Sequence, residues 1–310
     1  MRKTQINYLF RTIIFSFFVV VASTHQVLVH AQEIDSAQQD YSLLELSEEV
    51  GEESFSPSQM KEYGVQKQRL ATEIVDLKRQ LLSRLNQYEK DEKQYRIAID
   101  QYRSLQTLNS IEEAIAVTKR AMLSRNEVLE IYQNLLRLQL IDAQGIELSH
   151  KRQALSQLEE NRELLAEFKN KVEQTNDRND VNNLAIEFTP LGAQIHETSY
   201  YALGIMAIGR LQSTYDQAMV ISQRVTSAQQ ETTDQTNEAK IKRSLKEIEK
   251  LLEQMPPKFE STWMKVNESI SRRGNTTYHS LYQTLNKNLM PIYTDLSKII
   301  SYFEEIEQVR

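Results

Sequence analysis

Histidine and acidic residues at helical spacing are the first candidates for chemistry in this sequence. His196 opens the stretch HETSY, which begins like the zinc signature H-E-x-x-H, where two histidines one helical turn apart hold the metal. Tyr200 stands in place of the second histidine, so the paired ligands are missing. Beyond residue 31 the only other histidines are His150 and His279, and their separation gives no reason to expect a shared site. We therefore predict no metal site.

Other catalytic signatures are missing from the residue pattern as well. The chain has no cysteine, no glycine-rich loop that could cradle a phosphate and no G-x-S-x-G nucleophile turn. Its many acidic residues stand mainly beside basic ones at helical spacing, as Glu89 does with Lys93, which is typical of surface ion pairs. We expect no enzymatic activity and no cofactor. An all-helical metal-dependent enzyme built on His196 is the weakest alternative.

Three tyrosines form the first candidate for an interaction surface. Tyr88, Tyr95 and Tyr102 recur every seven residues, so they lie on one side of a helix. A tyrosine keeps a polar tip on an apolar ring, and such a row can line a groove for a partner helix or a glycan. The alternative is that the row forms the wide end of a helical core.

The stretch from Tyr200 to Leu211 is the most apolar segment beyond residue 31 and the second candidate. It combines small residues with large apolar ones, and the side chains that could contact a membrane are Tyr201, Ile205, Met206 and Ile208. A secreted pore-forming protein could hide its membrane-entering part in such a segment. The alternative is the tightly packed centre of a helical bundle, because the run is short and Arg210 lies within it.

The elements that must position these residues are predicted to be long helices. Only 7 glycines and 5 prolines occur in 310 residues, so turns are few, and Leu, Gln, Glu, Lys, Arg and Ala favour helix. No stretch of useful length alternates like a strand. We expect an all-α fold of long helices in one or two elongated antiparallel bundles with coiled-coil-like heptad packing.

The first helical region, residues 57–177, is predicted to be a long hairpin. Ser56-Pro57 starts a helix that reaches about Leu105 along a heptad seam. Ser110 and Glu113 form a capping box that starts the second helix. That helix continues, with a kink near Gly145, to the polar stretch 176–183.

The second helical region, residues 178–310, is predicted to pack as a bundle. Thr189-Pro190 starts its first helix, residues 226–240 form a solvated arm or hinge, and Pro256-Pro257 ends the next helix. Residues 272–275 form a turn, and Pro291 bends the last helix. The seam of that helix fills every heptad position: Leu285, Leu289, Ile292, Leu296, Ile299, Phe303 and Ile306.

The N-terminus predicts export. Arg2, Lys3 and Arg11 precede an apolar run, and Val29-His30-Ala31 places small residues at a cleavage site, so residues 1–31 read as a signal peptide. An uncleaved anchor is the alternative, although the apolar run is only about half of the ~20 residues that span a bilayer. No later stretch is long enough for a transmembrane helix.

Charge separates a linker from the helical body. Residues 32–60 contain eight acidic residues and no Lys or Arg, whereas residues 61–310 contain 34 basic and 35 acidic residues. Residues 32–56 are therefore predicted to be an acidic, flexible linker. The body lacks the basic excess that a nucleic-acid surface needs, so no nucleic-acid partner is expected.

Together these patterns predict an extracytoplasmic, non-enzymatic protein. It would act as a structural spacer, scaffold or protein-binding module of the cell envelope or extracellular space, with a protein partner or a second copy of itself. The alternative function is a membrane-active, pore-forming protein that uses the apolar segment after Tyr200.

Overall fold

The computed structural model describes residues 57–229, 235–271 and 278–309, and these residues are all-helical, without a strand. The all-α prediction is confirmed. The predicted signal peptide, the acidic linker and the turn at 272–275 lie outside the described residues. Contacts divide the chain between Glu62 and Tyr63, and the contacts below belong to the second unit. The helices are α1 Pro57–Leu105, α2 Leu108–Asp142, α3 Leu148–Gln174, α4 Arg178–Gln229, α5 Gln235–Glu253, α6 Pro256–Ser271 and α7 Tyr278–Val309.

Helix α1 begins and ends where the sequence predicts. It starts at Pro57, whose fixed φ suits a first helical position, and runs for 49 residues, or about 74 Å. It ends at Leu105 because Gln106 takes a positive φ of 51°, a conformation that does not continue a right-handed helix. Leu105 itself is exposed rather than part of the packed seam.

Helix α2 begins earlier than predicted, at Leu108 rather than at Ser110. The capping residue is Thr107, whose Oγ1 accepts a hydrogen bond from the Ser110 backbone nitrogen at 3.3 Å. The Ser110 hydroxyl donates to the Thr107 carbonyl at 2.8 Å, a hydrogen bond within the first turn that stabilises it. The S-x-x-E pattern at Ser110 was the wrong cap because a threonine three residues upstream serves the same orphan N–H groups.

The predicted kink at Gly145 is a complete break. Helix α2 ends at Asp142 and α3 begins at Leu148, so the expected second helix is two helices. Gly145 has a φ of +69°, which glycine adopts without the steric cost of a side chain. Lys151 closes the break by donating to the carbonyls of Ile141 and Ala143, both at 2.8 Å, at the end of α2.

Helix α4 starts at Arg178, twelve residues before Pro190 in the predicted start Thr189-Pro190, and passes through that proline. Its first turn is capped by Asp177, whose carboxylate accepts from the backbone nitrogens of Asn179 and Asp180 at 2.7 and 2.9 Å. Pro190 is exposed, and on the solvent side a carbonyl that loses its helical donor can bond to water. The early cap and the exposed position explain why the proline does not begin the helix.

Three helices form what we call the N-terminal group: α2, α3 and the first half of α4. Asn126 of α2 reaches Leu165 of α3, and Lys119 reaches the end of α3, so the two helices run antiparallel. Phe168 of α3 packs on Phe188 of α4, with ring centroids 5.1 Å apart. Helix α1 lies along α2 through a cluster of leucines that includes Leu77, Leu135 and Leu138.

The second half of α4 and helices α5 to α7 form the C-terminal group. Lys258 of α6 forms an ion pair with Asp295 of α7 at 2.5 Å, and Ser244 of α5 donates to Glu305 of α7 at 3.2 Å. Pro256 begins α6 directly after the end of α5, so the predicted stop is confirmed. The predicted seam of α7 is buried at every position except Phe303, which is half-buried.

The length and apolarity of the described helices bear on whether any of them could span a membrane. Within residues 57–229, 235–271 and 278–309, none is both long and apolar enough to cross a bilayer. Helix α4 continues to Gln229 and α5 begins at Gln235, so residues 226–229 and 235–240, the two ends of the predicted arm or hinge, are helical. The intervening residues lie outside the description.

Candidate functional site

The predicted tyrosine row faces the body of the protein. Tyr88 is buried, whereas Tyr95 and Tyr102 are half-buried, so part of the row is core and part borders solvent. Burial raises the pKa of both Tyr88 and Tyr95, which keeps the phenols neutral at physiological pH. Tyr102 lies beside Arg178, whose guanidinium carbon is 5.1 Å from the ring centroid.

Arg125 of α2 is the residue that the first two tyrosines cover. Its guanidinium carbon lies 3.6 Å from the centroid of the Phe188 ring, a close cation–π contact. Burial lowers the pKa of Arg125, and the neighbouring Tyr88 and Glu92 oppose that change. Sequence analysis missed Arg125, because an arginine inside a helical pattern does not differ from one on a surface until its neighbours are known.

Polar contacts fix the position of α1 over α2. Arg84 pairs with Glu127 at 3.2 Å, and Arg120 donates to the side chain of Gln94 at 3.2 Å. Asp91 is only 3% exposed and accepts hydrogen bonds from Gln87 on its own helix. This interface therefore combines apolar packing with exposed polar contacts between the helices and one buried carboxylate on α1.

The opposite side of α1 carries a second row of aliphatic side chains. Val75, Leu82 and Ile97 are 45%, 57% and 58% exposed. At about 100° per residue they lie within an arc of about 60°, roughly opposite the seam that contacts α2. Sequence analysis concentrated on the tyrosines and missed this row, although the seven-residue step from Val75 to Leu82 was a signal for it. We call these three residues the outer row of α1.

The predicted membrane-contacting residues lie in the centre of the described fold. Tyr201, Ile205, Met206 and Ile208 are all buried on α4. Membrane contact through these side chains would therefore require the helices around α4 to separate.

Two glycines explain the small residues in that segment. A Cβ on Gly204 would lie 3.0 Å from a methyl carbon of Leu285 on α7. A Cβ on Gly209 would lie 2.6 Å from the carbonyl oxygen of Gln144 and closer still to Ile146, both in the break between α2 and α3. The absence of side chains here lets two elements approach α4 closely.

His196 lies against other aromatic side chains rather than against acidic ones. Its ring centroid is 6.2 Å from that of His279 on α7 and 4.5 Å from that of Tyr200. Burial and the neighbouring His279 lower the pKa of His196. Thus the structure brings His196 and His279 together, which their sequence separation did not suggest.

Metal ligands do not gather around these histidines. Within the described residues, no group of three or more histidine, aspartate or glutamate side chains could hold a metal ion. His150 is 3.1 Å from the Tyr201 hydroxyl through its Nδ1 atom, and its ring stacks on Trp263.

A buried chain of polar side chains runs through the N-terminal group. Gln133 of α2 donates to Ser199 of α4 at 3.0 Å, Asn161 of α3 donates to Gln133 at 3.1 Å, and Gln194 of α4 donates to Asn161 at 3.1 Å. Gln133 and Asn161 are completely buried. We call these four residues the polar ladder. Sequence analysis missed it, since isolated Asn and Gln look like surface residues until three helices bring them together.

A shallow groove lies between the end of α4 and the end of α5. It has a volume of about 490 Å³, and its lining includes Tyr215 and Met219 of α4 and Glu249 and Leu252 of α5. Its two carboxylates, Glu249 and Glu253, are both exposed. Nothing in this arrangement places an acid and a base at opposite sides of a bound substrate.

Comparisons with known proteins give no match: no protein-family model, no curated protein and no solved structure is significantly similar to this chain. No residue role is therefore carried over from a relative. The function proposed next rests on the residues and contacts described above.

Proposed function

We propose that this chain is an exported, non-enzymatic spacer or scaffold that holds a protein partner through the surface of its helices. Residues 1–31 direct export and are removed after Ala31, and residues 32–56 are an acidic, flexible linker. The helical body works outside the cytoplasm, in the cell envelope or beyond it. Its helices pack as antiparallel bundles with heptad spacing like that of a coiled coil.

The outer row of α1 is the observation that carries this proposal. The inner side of the helix is occupied by α2, whereas the outer row leaves three aliphatic side chains exposed along more than three turns. A helix with apolar residues on two opposite sides can pack against two neighbours. Within the described residues the outer row is exposed, and the second neighbour that we propose for it comes from another chain. The occupant we propose is an α-helix laid along α1.

Charged side chains beside the outer row support a helical partner over a lipid surface. Lys78, Arg79, Glu89 and Lys93 mix both signs along the same stretch. At about 100° per residue, Arg79 and Lys93 lie within the arc of the outer row, and Lys78 and Glu89 lie at its flank. Charges of both signs can pair with a helix of complementary charge pattern, as they do in coiled coils. A membrane surface, by contrast, is favoured by basic residues alone.

The chemistry of the described surface supports a binding role rather than catalysis. The histidines lie against aromatic rings, the buried amides bond to one another, and the carboxylates that line the groove of α4 and α5 are exposed. No residue pair in these places combines a shifted acid with a facing base. We therefore propose that the protein acts by binding through a complementary surface and not by catalysis.

The outer row can be tested by a single charged substitution. Leu82→Glu places a carboxylate in the middle of the row, and we expect association with the partner to weaken at least about tenfold. The partner is sought first as a second copy, by sedimentation of the purified protein over a range of concentrations. Cross-linking in the cells that export the protein follows.

Gln80→Glu is the matched control, since it adds the same charge at an exposed position on another side of α1. It should leave both sedimentation and cross-linking at the wild-type level. Equal cross-linking yields for Leu82→Glu and the wild type would contradict the proposal. Both variants should unfold at the wild-type temperature, because neither side chain contributes to the core.

A further inference from the structure

The histidines of the described residues share one region of the fold. His196 lies on α4, His279 contacts it from α7, and His150 contacts Tyr201 of α4 from α3. The α4 residues that take part in these contacts lie within the six positions from 196 to 201. We call His150, His196 and His279 the histidine layer. On α4, the layer lies one helical turn N-terminal to the buried residues Ile205 and Ile208.

Neutral groups surround the pair His196 and His279. The two rings are stacked with an angle of 19° between their planes, and each has one buried ring nitrogen without a hydrogen-bond partner. Tyr200 on α4 and the amide of Gln283 on α7 face them, and Tyr282 packs beside Tyr200. In the described part of the chain, no carboxylate lies within ion-pair distance of either ring.

His150 has one acidic neighbour, which is exposed. Its ring stacks on Trp263 of α6 with centroids 4.7 Å apart, and the Tyr201 hydroxyl occupies its Nδ1. The Glu147 carboxylate lies 3.9 Å from its Nε2, but the Glu147 side chain is 62% exposed, so solvent screens the attraction. Burial lowers the pKa of His150, although Glu147 raises it in part.

We propose that the histidine layer is an acid-sensitive contact that loosens α3, α6 and α7 from α4 when its imidazoles become charged. Protonation of His196 places a charge against a second imidazole and among phenol rings and amides, which cannot balance it. The contacts that cover Tyr201, Ile205 and Ile208 are then weakened. This inference does not depend on the proposed partner, because it concerns contacts within one chain.

The direction of the pH effect follows from the lowered pKa values. His150 and His196 take up a proton less readily in the folded protein than in the unfolded chain, where the pKa of histidine is about 6.5. Their contribution to stability is therefore complete above about pH 6.5 and is lost as the pH falls below that value. Carboxylates lose their own contributions at lower pH, so the window between pH 7.5 and pH 5 reports mainly on histidines.

Thermal unfolding of the purified protein at pH 7.5 and pH 5 tests the layer. Replacing a histidine by glutamine keeps a polar side chain and removes the titration. We expect His196→Gln and His150→Gln each to reduce the acid-induced drop in Tm by about 2–4 °C. His279→Gln, whose ring is half-buried, provides a second test of the stacked pair if His196→Gln does not fold.

Tyr282→Phe is the control for altered packing, since it lies beside the same pair and has no group that titrates in this window. It should show the full wild-type drop. Hydrogen exchange at pH 5, corrected for the intrinsic rate, should show a loss of protection of at least about tenfold in residues 200–211 of the wild type. Histidine variants that show the same drop in Tm as the wild type would overturn the proposal, as would a loss of protection spread evenly over all helices.

Discussion

The two helix groups solve the same packing problem with different side chains. The N-terminal group carries the polar ladder of Gln133, Asn161, Gln194 and Ser199 through its centre. The C-terminal group instead closes over an aliphatic seam on α7 that is apolar at every buried heptad position from Leu285 to Ile306. Its buried polar side chains include Ser244, Thr262 and Asp295, and Asp295 pairs with Lys258.

The aliphatic seam and the polar ladder therefore contribute differently to the fold, the seam mainly to stability and the ladder mainly to the alignment of the helices. An aliphatic seam gains free energy from every buried side chain, about 1.5–3 kcal/mol for each leucine or isoleucine, but it tolerates shifts along the helix axis. A ladder of amides gains little net free energy, yet a shifted helix would leave several of its donors and acceptors unpaired. We infer that the polar ladder fixes how α2, α3 and α4 align, and that the seam of α7 supplies most of the stability of its own group.

The largest effect is expected from a charge in the apolar seam. Ile299 is completely buried, so Ile299→Asp leaves an unpaired carboxylate in the core and should lower the free energy of unfolding by about 3–5 kcal/mol. Urea unfolding measures the change. The neighbouring Ile300 is 48% exposed, and Ile300→Asp should change stability by less than about 0.5 kcal/mol. Similar losses in the two variants would contradict the packing described for α7.

A smaller loss is expected from the ladder. Asn161→Leu removes the donor to Gln133 and the acceptor for Gln194, and it should cost about 2–4 kcal/mol because the buried Gln133 and the half-buried Gln194 both lose a bond. Replacing Gln133, Asn161 and Gln194 together by leucine or methionine should recover most of that loss in urea unfolding. If the triple variant unfolds even more easily than Asn161→Leu, the ladder contributes net stability and the comparison with the seam fails.

The smallest of these effects is expected where the break after α2 meets α4. A Cβ on Gly209 would collide with Ile146 and with the Gln144 carbonyl, so Gly209→Ala should lower the free energy of unfolding by about 1–3 kcal/mol. Gly64 on α1 has nothing within 4 Å, and Gly64→Ala should instead stabilise the protein by about 0.4–1 kcal/mol. In thermal unfolding, a lower Tm for Gly209→Ala and a higher Tm for Gly64→Ala would support the close approach at Gly209. Changes of the same sign in the two variants would argue against it.

Local residue patterns were enough to predict several helix boundaries and the seam of α7. The start of α1 at Pro57, its end at Leu105 and the stop before Pro256 all depend on side chains next to the boundary. The α7 seam follows from spacing alone, since a helix with apolar residues every three to four positions must bury that side. The seven-residue spacing of the tyrosines likewise placed them on one side of α1.

Features that depend on distant residues could not be predicted in the same way. Pro190 remains inside α4 because Asp177 caps the helix much earlier, and Gly145 ends α2 where a connection must pass close to Gly209. The contact between His196 and His279 joins helices that are 83 residues apart in the chain. In each case the deciding partner lies outside the local window that periodicity and capping rules examine.

The two helix groups share α4, and this limits the order in which they can fold. The bonds of the polar ladder close over short spans, 28 residues between Gln133 and Asn161 and 66 between Gln133 and Ser199, so the N-terminal group can form as soon as the first half of α4 has been synthesised or translocated. The second half of α4, a helix of 52 residues and about 78 Å in total, then extends beyond the finished group. Helices α5 to α7 fold against a surface that already exists, which makes the first group a template for the second.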